Sequence, residues 1–358
     1  MANRPFYFPA IDGLRFLAFL LVFFHHSGRI IGSFFFIKTG WAGVELFFLL
    51  SGFLLTKLLL YEYKQANSIQ LYKYFIRRIL RIWPLYFLYL LLIIFVSLFL
   101  TNYPFSVPRL IGTIFFYDNI LTAGQGFNNN FATGHLWSIS LEEQYYLLLP
   151  FLIPLLAKQS AKKMKLLIII SFILLFILRY LIARKGLGYP YLYVLPFSCD
   201  SFLAGIILGL GTYDVWIKKI NSTLAFVIGA GLFTLLYFLP PRTAIGPNLV
   251  IIYFVPAAAF FFIFISVVYA DGGLFNRVFT NKPIRYLGKI SFGLYVFHQL
   301  VNIIIRYYFY EKNELLGIGG FILILIITIL LAILSYELIE KHFLRMKDRF
   351  TVIKNREI

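Results

Sequence analysis

The stretch "DGLRFLAFLLVFFHHSG" (12–28) places Asp12 and Arg15 at one end of an apolar segment and His25 and His26 at the other. If it is helical, the eleven-residue step from Arg15 to His26 turns through roughly 1,100°, within about 20° of whole turns, and rises about 16 Å. Arg15 and His26 then share a face, Asp12 lies near the same stripe, and His25 points elsewhere. Ionisable groups inside so apolar a segment are costly, which makes them candidates for function. The alternative is that Arg15 snorkels to lipid headgroups and the histidines mark the opposite interface.

A second cluster is "GHLWSISLEEQYYLLLP" (134–150), where His135 and Glu142 are seven apart with Ser138 between them at helical spacing. A carboxylate beside a histidine fixes its tautomer and stabilises its protonated form. Glu143 fits that use or that of an acid complementing a helix N-terminus. Glu45, in "WAGVELFFLLSGFLL" (41–55), falls near the same end of its own apolar run. His26, Glu45, His135, Glu142 and Glu143 are thus expected in one layer, a histidine–carboxylate group suited to general-base work.

At the opposite end, "YFIRRILRIWPLY" (74–86) puts Arg77 and Arg81 on one helix face with Arg78 beside them. Three guanidiniums suit bidentate phosphate binding and equally suit anchoring on anionic lipid. In "KISFGLYVFHQLVNIIIR" (289–306), His298, Asn302 and Arg306 recur every four residues, a stripe expected to face the protein interior as a pore lining or a hydrogen-bond network. Asp200, Glu337 and Glu340 are similar cases with less context. No metal-ligand spacing, Gly-rich phosphate loop or Gly-x-Ser-x-Gly elbow accompanies these groups.

The elements that must position them follow from composition. Of 358 residues, 61% are hydrophobic and 13% charged, against about 25% charged in soluble domains. The apolar runs approach the roughly 20 residues of a membrane span and do not alternate as barrel strands do. The expectation is an all-α polytopic membrane protein with about ten transmembrane helices. They fall at 10–28, 40–60, 82–101, 139–157, 164–184, 190–211, 222–240, 248–270, 285–309 and 316–340. No cleavage site follows the first run, which reads as a retained span. The net charge of +18 reflects topology and not nucleic-acid binding. On one face the termini and alternate connections hold 24 of the 33 Lys and Arg residues, which places both termini in the cytoplasm. The longest connection on the other side, 102–138, reads as turns and loop, with "LIGTIFFYDNI" (110–120) at the interface or dipping inward. Residues 1–345 form one membrane domain and 346–358 a basic cytoplasmic tail. The single Cys199 permits no intrachain disulfide.

Seven segments in order make the chain resemble the acyltransferase-3 family of integral-membrane O-acyltransferases. They are "IDGLRFLAFLLVFFHHSG", "GVELFFLLSGFLL", "FIRRILRIWPLY", "HLWSISLEEQYYLLLP", "FSCDSFLAGIILG", "ISFGLYVFHQ" and "SYELIEKHFL". The resemblance covers almost the whole chain. It implies transfer of an acyl group, usually acetyl from acetyl-CoA or another acyl-CoA, to a hydroxyl of an envelope glycan or glycolipid outside the plasma membrane. The family's catalytic His falls on His26, its Arg partner on Arg15 and the Glu of its Trp-Ser…Glu-Glu-Gln motif on Glu142. His25 is an extra histidine directly before the expected one. Many relatives append an extracellular esterase-like domain, which these residues do not contain. The chain is therefore expected to finish the transfer or to pass the acyl group to a partner.

The resulting expectation is a membrane O-acyltransferase with His26 as general base, supported by Glu142, and with acyl-CoA phosphates on Arg77, Arg78 and Arg81. The alternative is a transporter or flippase of an acyl group or lipid-linked sugar, with the same polar residues lining a path.

Overall fold

A computed structural model describes residues 7–98, 106–128, 130–186, 193–194, 198–240, 250–270, 273–310 and 317–350, and among these every regular element is helical. The principal helices, in chain order, are α1 (Pro9–Ser27), α2 (Gly43–Ala66), α3 (Leu71–Ser97), α4 (Trp137–Ala157) and α5 (Ala161–Arg184). They are followed by α6 (Asp200–Leu210), α7 (Ser222–Phe238), α8 (Phe254–Phe264), α9 (Ser291–Tyr310) and α10 (Gly317–Ser335). Each of the ten apolar stretches overlaps one of them.

Among the described residues, length and apolarity sufficient to cross a bilayer are met by five helical runs: Pro9–Ser27, Phe34–Ala66, Leu71–Ser97, Ala161–Arg184 and Gly317–Asp348. Lys282–Lys289 and α9, bent by 70° at Ile290, make a sixth if counted as one span. Asp200–Leu210, Ser222–Phe238 and Phe254–Tyr269 are apolar but shorter. Helix α4 is 21 residues long, and Glu142, Glu143 and Gln144 reduce its apolarity. The chain is thus a multi-pass membrane protein. Residues 351–358, most of the basic tail, lie outside the described part, as do Arg4, Arg242 and Lys312 among the charges used for orientation. Two arginines on the sparsely charged side are buried in ion pairs: Arg179 with Asp200 at 2.8 Å and Arg109 with Asp118 at 3.3 Å.

Local signals set the ends of the elements. Pro9 opens α1 at a position where its missing N–H and fixed φ cost nothing. Asn67, at φ 51°, closes α2 in the left-handed region that Asn tolerates. Ser160 and Asn221 accept backbone N–H groups at the starts of α5 and α7.

The 102–138 connection is more ordered than a loop. It holds two short helices, Val107–Ile114 and Asp118–Gln125, docked on α3. Phe116 stacks on Trp83 and Tyr86, while the Tyr86 hydroxyl donates to Thr113 O at 2.7 Å and the Tyr89 hydroxyl to Ala132 O at 2.7 Å. Burial pushes the Asp118 carboxyl up to about 6, with Arg109 and Asn128 holding it down.

Glycines set the closest helix approaches. A Cβ on Gly288 would lie 1.7 Å from Asp12 O, and one on Gly43 would lie 2.4 Å from Ala18 O. Gly205 and Gly209 of α6 let its backbone touch α2, where a Cβ on Gly205 would lie 2.2 Å from Leu49 O. Small residues at four-residue spacing are a common basis of helix pairing in lipid. Gly205→Val is expected to lower the unfolding temperature in detergent, with a cost of about 1–3 kcal/mol. Gly231→Val, with nothing within 4 Å of the new Cβ, is expected to change it little.

Candidate active site

Helix α1 carries polar groups at both ends, as the spacing predicts. At the first end Arg15 reaches Asp12 at 3.4 Å, Asp12 accepts from the Tyr7 hydroxyl at 2.8 Å, and Arg285 donates to Tyr7 at 2.7 Å. At the second end the two histidines diverge. His25 Nδ1 lies 2.6 Å from Ile37 O and ties α1 to the short helix Phe34–Thr39. His26 Nδ1 lies 2.9 Å from His298 Nε2 on α9.

The His298 ring is fully buried and its centroid is 5.0 Å from that of His135. His135, in the turn before α4, has its Nε2 3.2 Å from Val296 O. Three histidines from distant parts of the chain therefore meet in one cluster. Asn302, one turn beyond His298, donates to His26 O at 3.3 Å. His298 and Asn302 of the α9 stripe are buried and hydrogen-bond to α1.

Beside this cluster lies a cavity bounded by α1, α2, α3, α4 and α9. Its α2 wall runs from Val44 to Leu58, a rise of about 21 Å at 1.5 Å per residue. Arg15, Arg78 and Arg81 belong to the lining, as do Ser51, Glu142 and Tyr146, and Ser138 and Tyr295. Ser138 Oγ and the Tyr295 hydroxyl are 2.6 Å apart, and Tyr295 donates to His135 O at 2.9 Å. This pair joins the cavity wall to the histidine cluster. His26 is not part of the lining; its own ring is partly exposed, whereas His135 and His298 are buried.

The geometry also places the other expected site residues. Glu142 accepts hydrogen bonds from Ser51 and Tyr146, not from a histidine. It lies one turn beyond Ser138 on α4, about 6 Å further along the axis. Arg77 does not line the cavity with Arg78 and Arg81. Its guanidinium lies 3.0 Å from Glu62 and donates to Phe350 O at 2.9 Å. Glu45 is buried in the first turn of α2, next to Val44 of the wall. Glu143 is half-buried on α4 and outside the lining.

The residues that sequence reasoning missed are Ser51, Tyr146 and Tyr295. Tyr146 follows Glu142 by four and Tyr295 precedes His298 by three, spacings that place each pair on one helix face. Ser51 had no local signal. Among the described residues no group of His, Cys, Asp and Glu is arranged to hold a metal.

A family profile described as an acyltransferase domain matches residues 8–337. The chain belongs to this acyltransferase family. It is 28% identical to O-acetyltransferase OatA of Staphylococcus aureus strain NCTC 8325, over 94% of this chain and 57% of that protein. A putative O-acetyltransferase, SACOL0978 of S. aureus strain COL, is 26% identical over the same shares. The chain thus spans little more than half the length of these relatives. No solved structure matches.

The Arg77–Glu62 pair gives a direct check on the arginine assignment. Arg77→Leu leaves buried Glu62 without its cation and is expected to destabilise the protein by about 3 kcal/mol. The Arg77→Leu/Glu62→Leu double variant is expected to recover most of that loss in thermal unfolding.

Proposed function

We propose that this acyltransferase moves an acetyl or similar acyl group from cytoplasmic acyl-CoA to a hydroxyl of an extracytoplasmic glycan or glycolipid, with both termini in the cytoplasm of a plasma-membrane protein. The observation that carries this reading is the cavity itself, which has arginines in its lining and abuts the histidine cluster through Ser138 and Tyr295. The donor's phosphates bind at Arg15, Arg78 and Arg81, and its pantetheine arm extends along the α2 wall. Guanidiniums in a site shielded from bulk water are well suited to phosphate. Arg77, committed to Glu62, supports α3 and does not contact the donor.

The thioester reaches His26 once the Ser138–Tyr295 bond opens. His26 takes the proton of the acceptor hydroxyl as its oxygen attacks the thioester carbonyl. The C–S bond then breaks, and the departing CoA thiolate receives the proton from His26. His26 is partly exposed and lies outside the cavity lining, and the acceptor approaches it there, apart from the donor. Glu142, held by Ser51 and Tyr146, places a polar group midway along the donor path. The O-acetyltransferase relatives support the acyl class, and the envelope acceptor follows from the family resemblance.

The test is labelled-acetyl transfer in sealed inverted vesicles with acetyl-CoA outside. His26→Ala is expected to lower covalent incorporation by at least about 10²-fold, in the range of general-base losses. His25→Ala is expected to retain most of it. Arg78→Gln and Arg81→Gln should raise KM for acetyl-CoA more than they lower kcat, the mark of lost donor binding. Substrate movement without a covalent product would favour transport instead.

A further inference from the structure

We propose that His298 is a positioning residue that sets the tautomer of His26 and thereby presents Nε2 of His26 as the proton-accepting nitrogen. The inference rests on the reading of His26 as the base. His298 Nδ1 lies 2.5 Å from Tyr295 O, the carbonyl three residues earlier on α9. A carbonyl oxygen only accepts, so this nitrogen carries the hydrogen. A neutral imidazole has one donor and one acceptor nitrogen, which puts the lone pair of His298 on Nε2. That Nε2 faces His26 Nδ1 at 2.9 Å. Two lone pairs cannot share such a contact, so His26 Nδ1 donates and the His26 lone pair resides on Nε2.

The direction of this relay is set by a main-chain carbonyl, a group that does not titrate. Surrounding rings hold His298 in place. The Phe19 ring meets it edge-on at 6.2 Å between centroids, the Tyr295 ring lies at 5.5 Å, and the His135 ring crosses it at 76°. Asn302, bonded to His26 O, secures the end of α1 beside the same stretch of α9. In serine-protease triads a carboxylate orients the imidazole. Here the Glu142 carboxylate is bonded to Ser51 and Tyr146, and an imidazole occupies the orienting position.

The assignment determines which bonds form. The acceptor's O–H proton moves to His26 Nε2 as its oxygen bonds to the acyl carbon and the C–S bond breaks. The same Nε2–H then protonates the departing thiolate. Throughout, His26 Nδ1–H remains donated to His298.

The experiment uses the full chain in lipid with acetyl-CoA as donor and a soluble sugar as acceptor, and compares His298→Gln with His298→Met. Both replacements are unbranched and similar in length, but only glutamine offers an oxygen to accept from His26 Nδ1–H. His298→Met is expected to lower kcat by about 10²-fold while KM for acetyl-CoA stays within about twofold. His298→Gln is expected to recover at least about tenfold of that loss in kcat. If the methionine variant fails to assemble, His298→Leu replaces it in the comparison. Wild-type kcat in the apolar variant, or equal loss in both, would overturn the inference. His26→Ala is assayed alongside. If it stays active, the reading of His26 as base fails, whereas inactive His26→Ala with equal Met and Gln variants removes only the tautomer role of His298.

Discussion

Helix α1 occupies its place because the surfaces it touches present no Cβ at the points of contact. Gly288 meets it at Asp12, Gly40 at Leu21 and Gly43 at Ala18, and its own Gly13 would clash with Phe279 O if it carried a side chain. Lipid tails offer helices no hydrophobic reason to associate, so close van der Waals fit carries much of the association. The consequence reaches the chemistry, because the same 19-residue helix carries Arg15 at one end and His26 at the other. A shift at any of these four glycine contacts moves both groups relative to α3 and α9.

The second organising requirement is that polar groups in an apolar medium find partners within the protein. Arg179 and Asp200 meet it as a fully buried ion pair. Tyr86 and Tyr89 meet it by donating to carbonyls of the 106–136 region, which fastens that connection to α3. Around the cavity the same rule gives Glu142 two hydroxyl donors and gives His26 an imidazole neighbour. Carboxylate and imidazole therefore serve different parts of the proposed path, one along the donor arm and the other at the acyl carbon.

Much of this was legible in the sequence. The apolar runs gave the helices, because continuous hydrophobicity leaves few other conformations in lipid. The eleven-residue step from Arg15 to His26 and the four-residue step from His298 to Asn302 marked faces that do turn inward. What escaped depends on contacts between distant residues. Arg77 and Arg81 look alike on a helical wheel, but Glu62, fifteen residues earlier, takes Arg77 out of the cavity. Ser51 meets Glu142 across 91 residues, which no local spacing reveals. A layer drawn from span boundaries uncertain by several residues cannot resolve the single helical turn between Ser138 and Glu142. The 70° bend at Ile290 was likewise hidden inside the single span drawn at 285–309, although Arg285 and Lys289 precede it.

The most direct test of the central claim is an experimental structure with an unreactive acyl-CoA thioether bound. Phosphate density is expected against Arg15, Arg78 and Arg81, with the acyl-mimicking end past a displaced Tyr295 and its reactive-carbon position facing His26 Nε2. Phosphates bound away from these arginines, or an acyl end remote from the histidine cluster, would contradict it.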